Sequence, residues 1–412
     1  VCSSDLIIFK AMSYGITMMR NVKNDFDAVI AGGGMIGAAV AIGLAQEGLR
    51  VAMVERQSPA PFDASSHPDI RISAISCASV SLLKQLGAWQ HVLAMRSAPY
   101  LTLETWEEDN AHVIFDAKSL GLPELGYMVE NRILQLALWQ EAERYSNITL
   151  LCPNSLSNMK YLDNKWQVTL ADGQEITTQL VVGADGANSQ VRQMAGIGSN
   201  GWQYRQSCML ITVKTQLPPE KGTWQRFYPS GPRAYLPLFD NWACLVWYDS
   251  PQRIRKLQTM SMAQLEKEIG HAFPERLGKV TPIAAGSFPL TRQHASRYVD
   301  NGVILVGDAA HTINPLAGQG VNLGYRDVDC LLNLVAQAKQ HFEPWHSMAL
   351  LKKYQRRRMP DNMLMQAGMD LFYHAFSHQL PGLKLARNIG LLAAQHAGKA
   401  KEAALRYALG IK

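Results

Sequence analysis

Residues 25–55 read DFDAVIAGGGMIGAAVAIGLAQEGLRVAMVE, and this stretch decides the fold. Phe26 to Ile30 is a short apolar run that ends in glycines. Ala38 to Glu47 carries a helical pattern, Gly48 closes it, and Val51 to Val54 is a second apolar run. The order is strand, glycine turn, helix, strand, a βαβ unit of about thirty residues. Gly32, Gly34 and Gly37 satisfy GxGxxG. The first glycine permits the tight turn, the second lets the backbone approach a pyrophosphate, and the third lets helix pack on strand. The helix N-terminus offers N–H groups and a positive dipole end to the phosphates. Glu55 closes the second strand eighteen residues after Gly37, where an acid can accept hydrogen bonds from an adenosine ribose. The motif by itself does not separate FAD from NAD.

Two more buried strands run into glycine turns. Leu180–Val182 leads into Gly183-Ala184-Asp185-Gly186-Ala187-Asn188-Ser189 and on to Arg192, the pattern GADGxxSxxR. Asp185 and Ser189 are expected to cap the helix that follows. Val303–Val306 leads into Gly307-Asp308-Ala309-Ala310-His311, then Pro315 and Gly318-Gln319-Gly320. Asp308, at a strand end, can accept hydrogen bonds from sugar-like hydroxyls. The later glycines free backbone amides at a helix start, which suits negative charge. His311 is expected to be a structural histidine rather than a catalytic base. In an open α/β sheet, ligands sit at the carboxyl ends of strands, so the turns at Gly32, Gly183 and Gly307 are expected to converge on one extended cofactor.

Elsewhere, Ala78–Leu86, Asn131–Arg144 and Ile254–Phe273 read as helices. Ile148–Ile176 reads as a meander turning at Asp163-Asn164 and Asp172-Gly173. Cys208–Val213, Arg226–Pro237 and Trp242–Tyr248 are β-rich and aromatic and suggest a second sheet. From about Gly320 onward the pattern is helical, with breaks expected at Pro360 and Pro381. Val1–Leu6 reads VCSSDL, which a translated sequencing-adapter remnant gives. Residues 1–20 are therefore expected to be a non-native or disordered leader before a start near Met12, Met18 or Met19.

The 412 residues are 47% hydrophobic and 18% charged, which fits a globular chain with a sizeable core. No apolar run reaches the roughly eighteen residues of a membrane-spanning helix. Six cysteines lack CxxC spacing and none stands with His at a ligand spacing, so buried thiols in a reducing cytoplasm are expected and no metal site. Residues 352–412 hold eleven Lys/Arg against three Asp/Glu; of the net +6 this region carries +8 and the rest −2. That distribution does not suggest nucleic acid. It fits an acidic partner, an anionic membrane surface or a solvated helical face. Leu385, Ile389 and Leu392 fall at helical spacing near Lys384 and Arg387, as in an interfacial helix, a docking face for other proteins, or an ordinary packed helix.

In this order and at these distances, GxGxxG, GADGxxSxxR and GDAAHxxxPxxGQG resemble the three fingerprints of the single-component FAD aromatic hydroxylases, the class of p-hydroxybenzoate hydroxylase. From Asp27 to Tyr407 the chain is more similar still to the ubiquinone-biosynthesis hydroxylases, on segments such as PDIRISAISCASVSLLKQLG, GYMVEN, GPRAYLPLFDNWACLVWYDSP and GMDLFYHAFS. The resemblance implies an α/β chain. Its Rossmann-like FAD-binding domain would come in three parts (25–100, 126–200, 291–345), interleaved with substrate-domain strands (101–125), a substrate-binding β-sheet (201–290) and a helical C-terminal region (346–412). It implies that Gly32, Gly34 and Gly37 bind the FAD pyrophosphate and Glu55 the ribose, and that Arg71 lies along the FAD. It further implies that Arg132 contacts the cofactor, that Asp185 and Gly186 serve the pyrophosphate and nicotinamide access, and that Asp308 holds the ribityl chain. Pro315, Gly318 and Gly320 would lie against the isoalloxazine. Tyr228, Tyr235, Pro237, Trp247 and Tyr248 are candidates for the substrate floor.

The activity implied is hydroxylation of a polyprenylated benzoquinol through a flavin C4a-hydroperoxide, with O2 as co-substrate and NADH or NADPH as donor. The cofactor carries the hard step, which fits the lack of a Ser-His-Asp set or carboxylate pair in the sequence. The implied location is cytoplasmic and peripheral at a bacterial inner membrane, beside other ubiquinone-biosynthesis proteins. A hydroxylase of small phenols or antibiotics shares the three FAD motifs, and a flavin reductase without oxygen chemistry is a further alternative.

Overall fold

The computed structural model describes residues 25–218, 220–313, 319–377 and 381–411. The expected leader, with Met12, Met18 and Met19, lies outside them, as do Pro315 and Gly318.

Strand β1 (Asp25–Ala31), helix α1 (Met35–Gln46) and strand β2 (Val51–Val54) form the expected βαβ unit. Helix α1 is small and apolar on every side, and Gly37 to Ala45 are all buried, as a helix without a polar face must be. In the sheet, β1 is flanked by β2 and by strand Glu175–Gly183, and Val303–Leu305 lies beyond the latter, all parallel. Register pairs Ala31 with Gly183 and Gly183 with Leu305. The three glycine turns therefore leave one sheet edge side by side. They are stitched together by the Ala184 N–H donating to Ala31 O (2.9 Å) and the Val306 N–H donating to Gly183 O (3.0 Å). Of the expected meander, Leu156–Leu162, Lys165–Leu170 and Glu175–Gly183 pair antiparallel in turn, whereas Ile148–Leu151 pairs in parallel with β2; the short strand expected at 180–182 is the end of the nine-residue strand Glu175–Gly183.

The second sheet is built on two long antiparallel strands, Ser199–Thr215 and Val280–Ala295. It continues through Trp242–Asp249, Arg233–Pro237, Gly222–Arg226, Thr102–Trp106 and His112–Asp116. Its far face packs on two helices where the sequence suggests one. Pro251–Gln258 and Met262–Ala272 are separated by Ser261, whose hydroxyl accepts from the Gln264 N–H while Gln264 Oε1 accepts from the Ser261 N–H. This reciprocal cap starts a new helix. Pro360 does not break the C-terminal region. It lies inside helix Met348–Phe376, where Tyr354, Arg358, Asn362 and Met365 pack inward and offset the missing backbone bond. Pro381 opens the next helix, Pro381–Gln395. The five described cysteines are free. Among the described residues, no helix is long and apolar enough to cross a membrane, and no cluster of metal-ligand side chains occurs.

Candidate active site

Gly32 has φ +99°, and a Cβ there would meet the Ala184 carbonyl oxygen at 2.4 Å. A Cβ on Gly37 would come within 1.9 Å of the Gly32 oxygen. These two glycines exist for backbone-on-backbone approach. Gly34 differs: nothing in the protein lies within 4 Å of its virtual Cβ, and as N-cap of α1 it brings no side chain to the first-turn amides. That open space borders a cavity of about 220 Å³ lined by Gly32, Gly34, Glu55, Asn154, Asp185 and Gln190, among others. An anion is favoured there by the helix end.

Glu55 serves the turn itself. One carboxylate oxygen accepts from the Gly33 N–H (2.7 Å), the other from the Arg56 and Gln57 amides (2.7 and 3.2 Å). Asp185 Oδ2 accepts from the Gln190 and Val191 N–H groups, and Ser189 Oγ from the Arg192 N–H, so both cap as expected. Asp185 Oδ1 is buried without a protein partner, an acceptor that a ligand hydroxyl or ordered water would satisfy. Gly186, at φ +80°, keeps open space beside it.

The carbonyl of Gly33 is held by two donors that the sequence reading missed, Trp139 Nε1 (2.7 Å) and Gln135 Nε2 (2.9 Å). Arg132, one turn earlier on their helix Asn131–Ala142, reaches instead to the Pro61 carbonyl (2.9 Å) and lies 3.7 Å from Asp69. It fixes the loop that leads to Arg71. The buried Arg96–Glu130 pair fixes the same loop: Arg96 donates to Ser66 O and Glu130 accepts from the Asp69 N–H.

Asp308 follows Gly307 (φ +58°) at the third turn. Its side chain is open to solvent but set deep among protein atoms. That surrounding mass raises its carboxyl above the ordinary value, opposed by the charges of His311 and Arg71. Gly320 lies near Ile313 at the start of helix Gln319–Gln340. Beneath the turn, His311 Nε2 meets Asp327 Oδ2 at 2.5 Å. The same oxygen accepts from the Gly307 N–H (3.0 Å), and Asp327 Oδ1 accepts from Arg358 Nε (2.8 Å). His311 is thus held through Nε2, while its Nδ1 is buried without a protein partner.

The substrate-floor candidates divide between the two faces of the second sheet, because strand side chains alternate. Trp247 and Tyr235 project into the apolar layer under the paired helices, Tyr235 stacked on Trp224 at 5.4 Å and Trp247 edge-on to Phe273 at 5.5 Å. Pro237 shares the Tyr235 side of its strand. These three turn away from the cofactor turns and are corrected to core residues. Tyr248 packs on the opposite face with Tyr204 and Val246. There Leu210, Leu236 and Phe288 are only partly buried, and Leu210 and Leu236 pack near Ile72. Tyr228 lies at the rim, its ring 5.3 and 5.4 Å from the Arg226 and Arg233 guanidinium carbons.

An open cradle at Gly34, an unmet acceptor on Asp185 and an acid-lined cavity fit the ribose and pyrophosphate of FAD. The fold and this cradle define the class of FAD-dependent aromatic-ring monooxygenases. The family model described as FAD binding domain matches residues 25–367. The structure of p-nitrophenol 4-monooxygenase PnpA from Pseudomonas putida DLL-E4 shares the fold, with a TM-score of 0.77 over 94% of this chain and 99% of that one, at 15% identity. In sequence, the chain is 61% identical to 3-demethoxyubiquinol 3-hydroxylase of Escherichia coli K12 (93% of this chain, 98% of the relative). It is 36% identical to ubiquinone hydroxylase UbiL of Rhodospirillum rubrum (93% and 89%). The chain belongs to the FAD-dependent hydroxylases of ubiquinone biosynthesis.

Replacing Asp308 by alanine is expected to weaken FAD binding by roughly 10- to 100-fold, the worth of about 1.5–3 kcal/mol for a charged acceptor. Titration of the apoprotein with FAD, read by flavin fluorescence, checks this; unchanged affinity removes Asp308 from the cofactor site.

Proposed function

We propose that this chain hydroxylates the ring of demethoxyubiquinol, a polyprenylated benzoquinol. The observation that carries the proposal is the 61% identity, across nearly the whole of both chains, to the Escherichia coli hydroxylase named for that reaction. Bound FAD, reduced by NADH or NADPH, supplies the oxygen-transfer chemistry. The protein's own part is to bind and orient. In this reading Gly32, Gly34 and Gly37 receive the pyrophosphate, and Glu55, Asp185 and Gly186 border the adenosine and phosphate side. Arg71 and Asp308 hold the ribityl end. Pro315, Gly318 and Gly320 are assigned to the ring by family likeness.

The quinol ring is assigned to the sheet face that carries Leu210, Leu236, Val246 and Phe288, opposite Ile70 and Ile72. Ile70 lies over Gly286 on this face, its Cγ2 at ordinary contact distance (3.5 Å) from where a Cβ would stand. Such a wall excludes water and fixes the ring's distance from the cofactor, which is where the rate gain lies when the cofactor carries the bond-making step. A quinol is already electron-rich, and with His311 tied to Asp327 the reading assigns no side-chain base. The segment division at 101–125 and 201–290 for the substrate sheet belongs to the same proposal.

The test is a quinone-lipid profile in a bacterial strain lacking its demethoxyubiquinol hydroxylase. Return of ubiquinone with loss of the demethoxy intermediate is expected. Persistence of the intermediate in the presence of folded, flavin-loaded protein would shift the substrate to a different phenol.

A further inference from the structure

Helix Met348–Phe376 carries four polar side chains at four-residue intervals on its buried side: Tyr354, Arg358, Asn362 and Gln366. They are 0%, 7%, 0% and 1% exposed. Neighbours in such a row lie about 6 Å apart along the axis. A helix that merely covered the body would carry leucine there, because a buried polar group costs free energy unless a partner satisfies it. Each of the four has a partner, and the partners come in chain order. Tyr354 Oη donates to the Leu305 carbonyl (2.9 Å). Arg358 Nε (2.8 Å) and Asn362 Nδ2 (3.2 Å) donate to Asp327 Oδ1, and the other oxygen of Asp327 accepts from the Gly307 N–H. Gln366 Nε2 donates to the Thr312 carbonyl (3.1 Å). The row thus follows the chain from Leu305 to Thr312, which is the third cofactor turn.

Asp308 lies between the two ends of that turn. The far end is tied to the body by a short ladder, in which Thr312 pairs with Gln293 and His311 with His294. Gln366 joins both strands of it. Its Nε2 donates to Gln293 O (3.1 Å) as well as to Thr312 O, and its Oε1 accepts from His294 Nδ1 (2.8 Å). Thr312 in turn reaches Asp308, its hydroxyl donating to the Asp308 carbonyl (3.3 Å). Apolar contacts let a helix slide by fractions of an ångström over a surface. Directed hydrogen bonds in a satisfied buried network fix one register. The turn that carries Asp308 is therefore placed from the C-terminal helix at both ends, through Asp327 at Gly307 and through Gln366 at Thr312.

We infer that Gln366 is a positioning residue for FAD: acting through Thr312, it sets where the Asp308 carboxylate stands, and with it the ribityl chain which that carboxylate is assigned to hold. The inference rests on this assignment of Asp308. It extends the cofactor site to the C-terminal helical region, and it accounts for amide and guanidinium groups in a row where leucine would pack. Gln366 itself reaches two carbonyls and a histidine, so its effect on the cofactor passes through the turn alone.

The test follows release of FAD from the holoenzyme on dilution, by recovery of flavin fluorescence, in Gln366→Met, Asp308→Ala and the double variant. Methionine keeps the volume of Gln366 but donates to neither carbonyl, and the FAD dissociation constant should rise by about tenfold. The double variant should bind FAD at most about twofold more weakly than Asp308→Ala alone, because the placement of a carboxylate that is gone no longer counts. Leu351→Ala removes a fully buried apolar contact of the same helix. It should lower the thermal midpoint and leave the dissociation constant within about twofold of wild type. Gln366→Glu keeps the acceptor for His294 and loses the amide donor; it should match Gln366→Met, and it carries the test if that variant does not fold. If Asp308→Ala binds FAD as wild type does, the ribityl assignment fails and the inference with it. The inference alone is overturned if Asp308→Ala is weakened while the Gln366 variants are not, if the two losses multiply in the double variant, or if Leu351→Ala weakens FAD as much as Gln366→Met.

Discussion

Replacing Gly37 by alanine is expected to abolish the folded holoenzyme, whereas the same change at Gly34 should leave a folded protein without flavin. The two positions sit three residues apart in one motif, and only the surroundings of the virtual methyl separate them. At Gly37 the methyl would lie 1.9 Å from the carbonyl oxygen of Gly32, with the Ala184 Cβ at 3.1 Å. The obstacle is backbone, in a turn whose Gly32 N–H donates to Val54 O (2.8 Å), so no side chain can swing aside. Relief requires moving helix α1 off the sheet, at a cost of roughly 3 kcal/mol or more, a large part of a typical domain's stability. At Gly34 the backbone is extended at φ −70° and ψ −174°, which alanine adopts readily. Apo stability should then stay within about 1 kcal/mol, the lower unfolded-chain entropy of alanine offsetting its poorer N-cap preference. The methyl would stand where the pyrophosphate is assigned, and FAD affinity should fall by roughly two orders of magnitude or more. Thermal denaturation together with flavin absorbance of the purified variants reads both. A Gly34→Ala protein that keeps stoichiometric FAD would refute the placement of the phosphates; a Gly37→Ala protein as stable as wild type would refute the account of the turn.

That contrast also marks how far the sequence could be read. The three turns were legible because each needs a particular residue type at a particular spacing: glycine where backbones touch, an acid where a strand ends. Their adjacency followed from the rule for parallel strands, and register bears it out at Ala31, Gly183 and Leu305. Trp139 and Gln135 were not legible. They stand 106 and 102 residues from the Gly33 carbonyl that they hold, and on their own helix they look like ordinary amphipathic positions. Tyr235 and Trp247 show a different limit. An aromatic strand announces burial, but the side of the sheet that meets the cofactor depends on which helices cover the other side. The break at Ser261 carried a signal, Ser-x-x-Gln, that apolar periodicity across 254–273 overrode. Pro360 reads as a helix end because local propensity cannot register the tertiary packing that keeps this helix continuous.

Asp327 is the second position where a large effect is expected, and nothing in its local sequence, RDVDC, announces it. Its carboxylate is completely buried and binds His311, the Gly307 N–H, Arg358 and Asn362 Nδ2 at once. Burial alone would raise this carboxyl, yet the charges and hydrogen bonds of His311 and Arg358 hold it far below the ordinary carboxylate value of 3.8. Asp327→Asn keeps the shape but leaves the Arg358 guanidinium only the partly exposed Asp361 as counter-charge and weakens the anchor of the Gly307 turn. The expected loss is about 3–5 kcal/mol, with FAD binding weakened in parallel because Asp308 rides on that turn. The pH dependence gives a separate signature. A carboxyl with a depressed folded-state value contributes stability that is fully present above its unfolded value and is lost as pH falls through the folded one. As pH falls below about 4 the wild-type advantage over Asp327→Asn should therefore shrink. Urea denaturation of both proteins across that range decides the point. A difference that persists undiminished in strong acid would mean that another group, not the Asp327 carboxylate, supplies the stability.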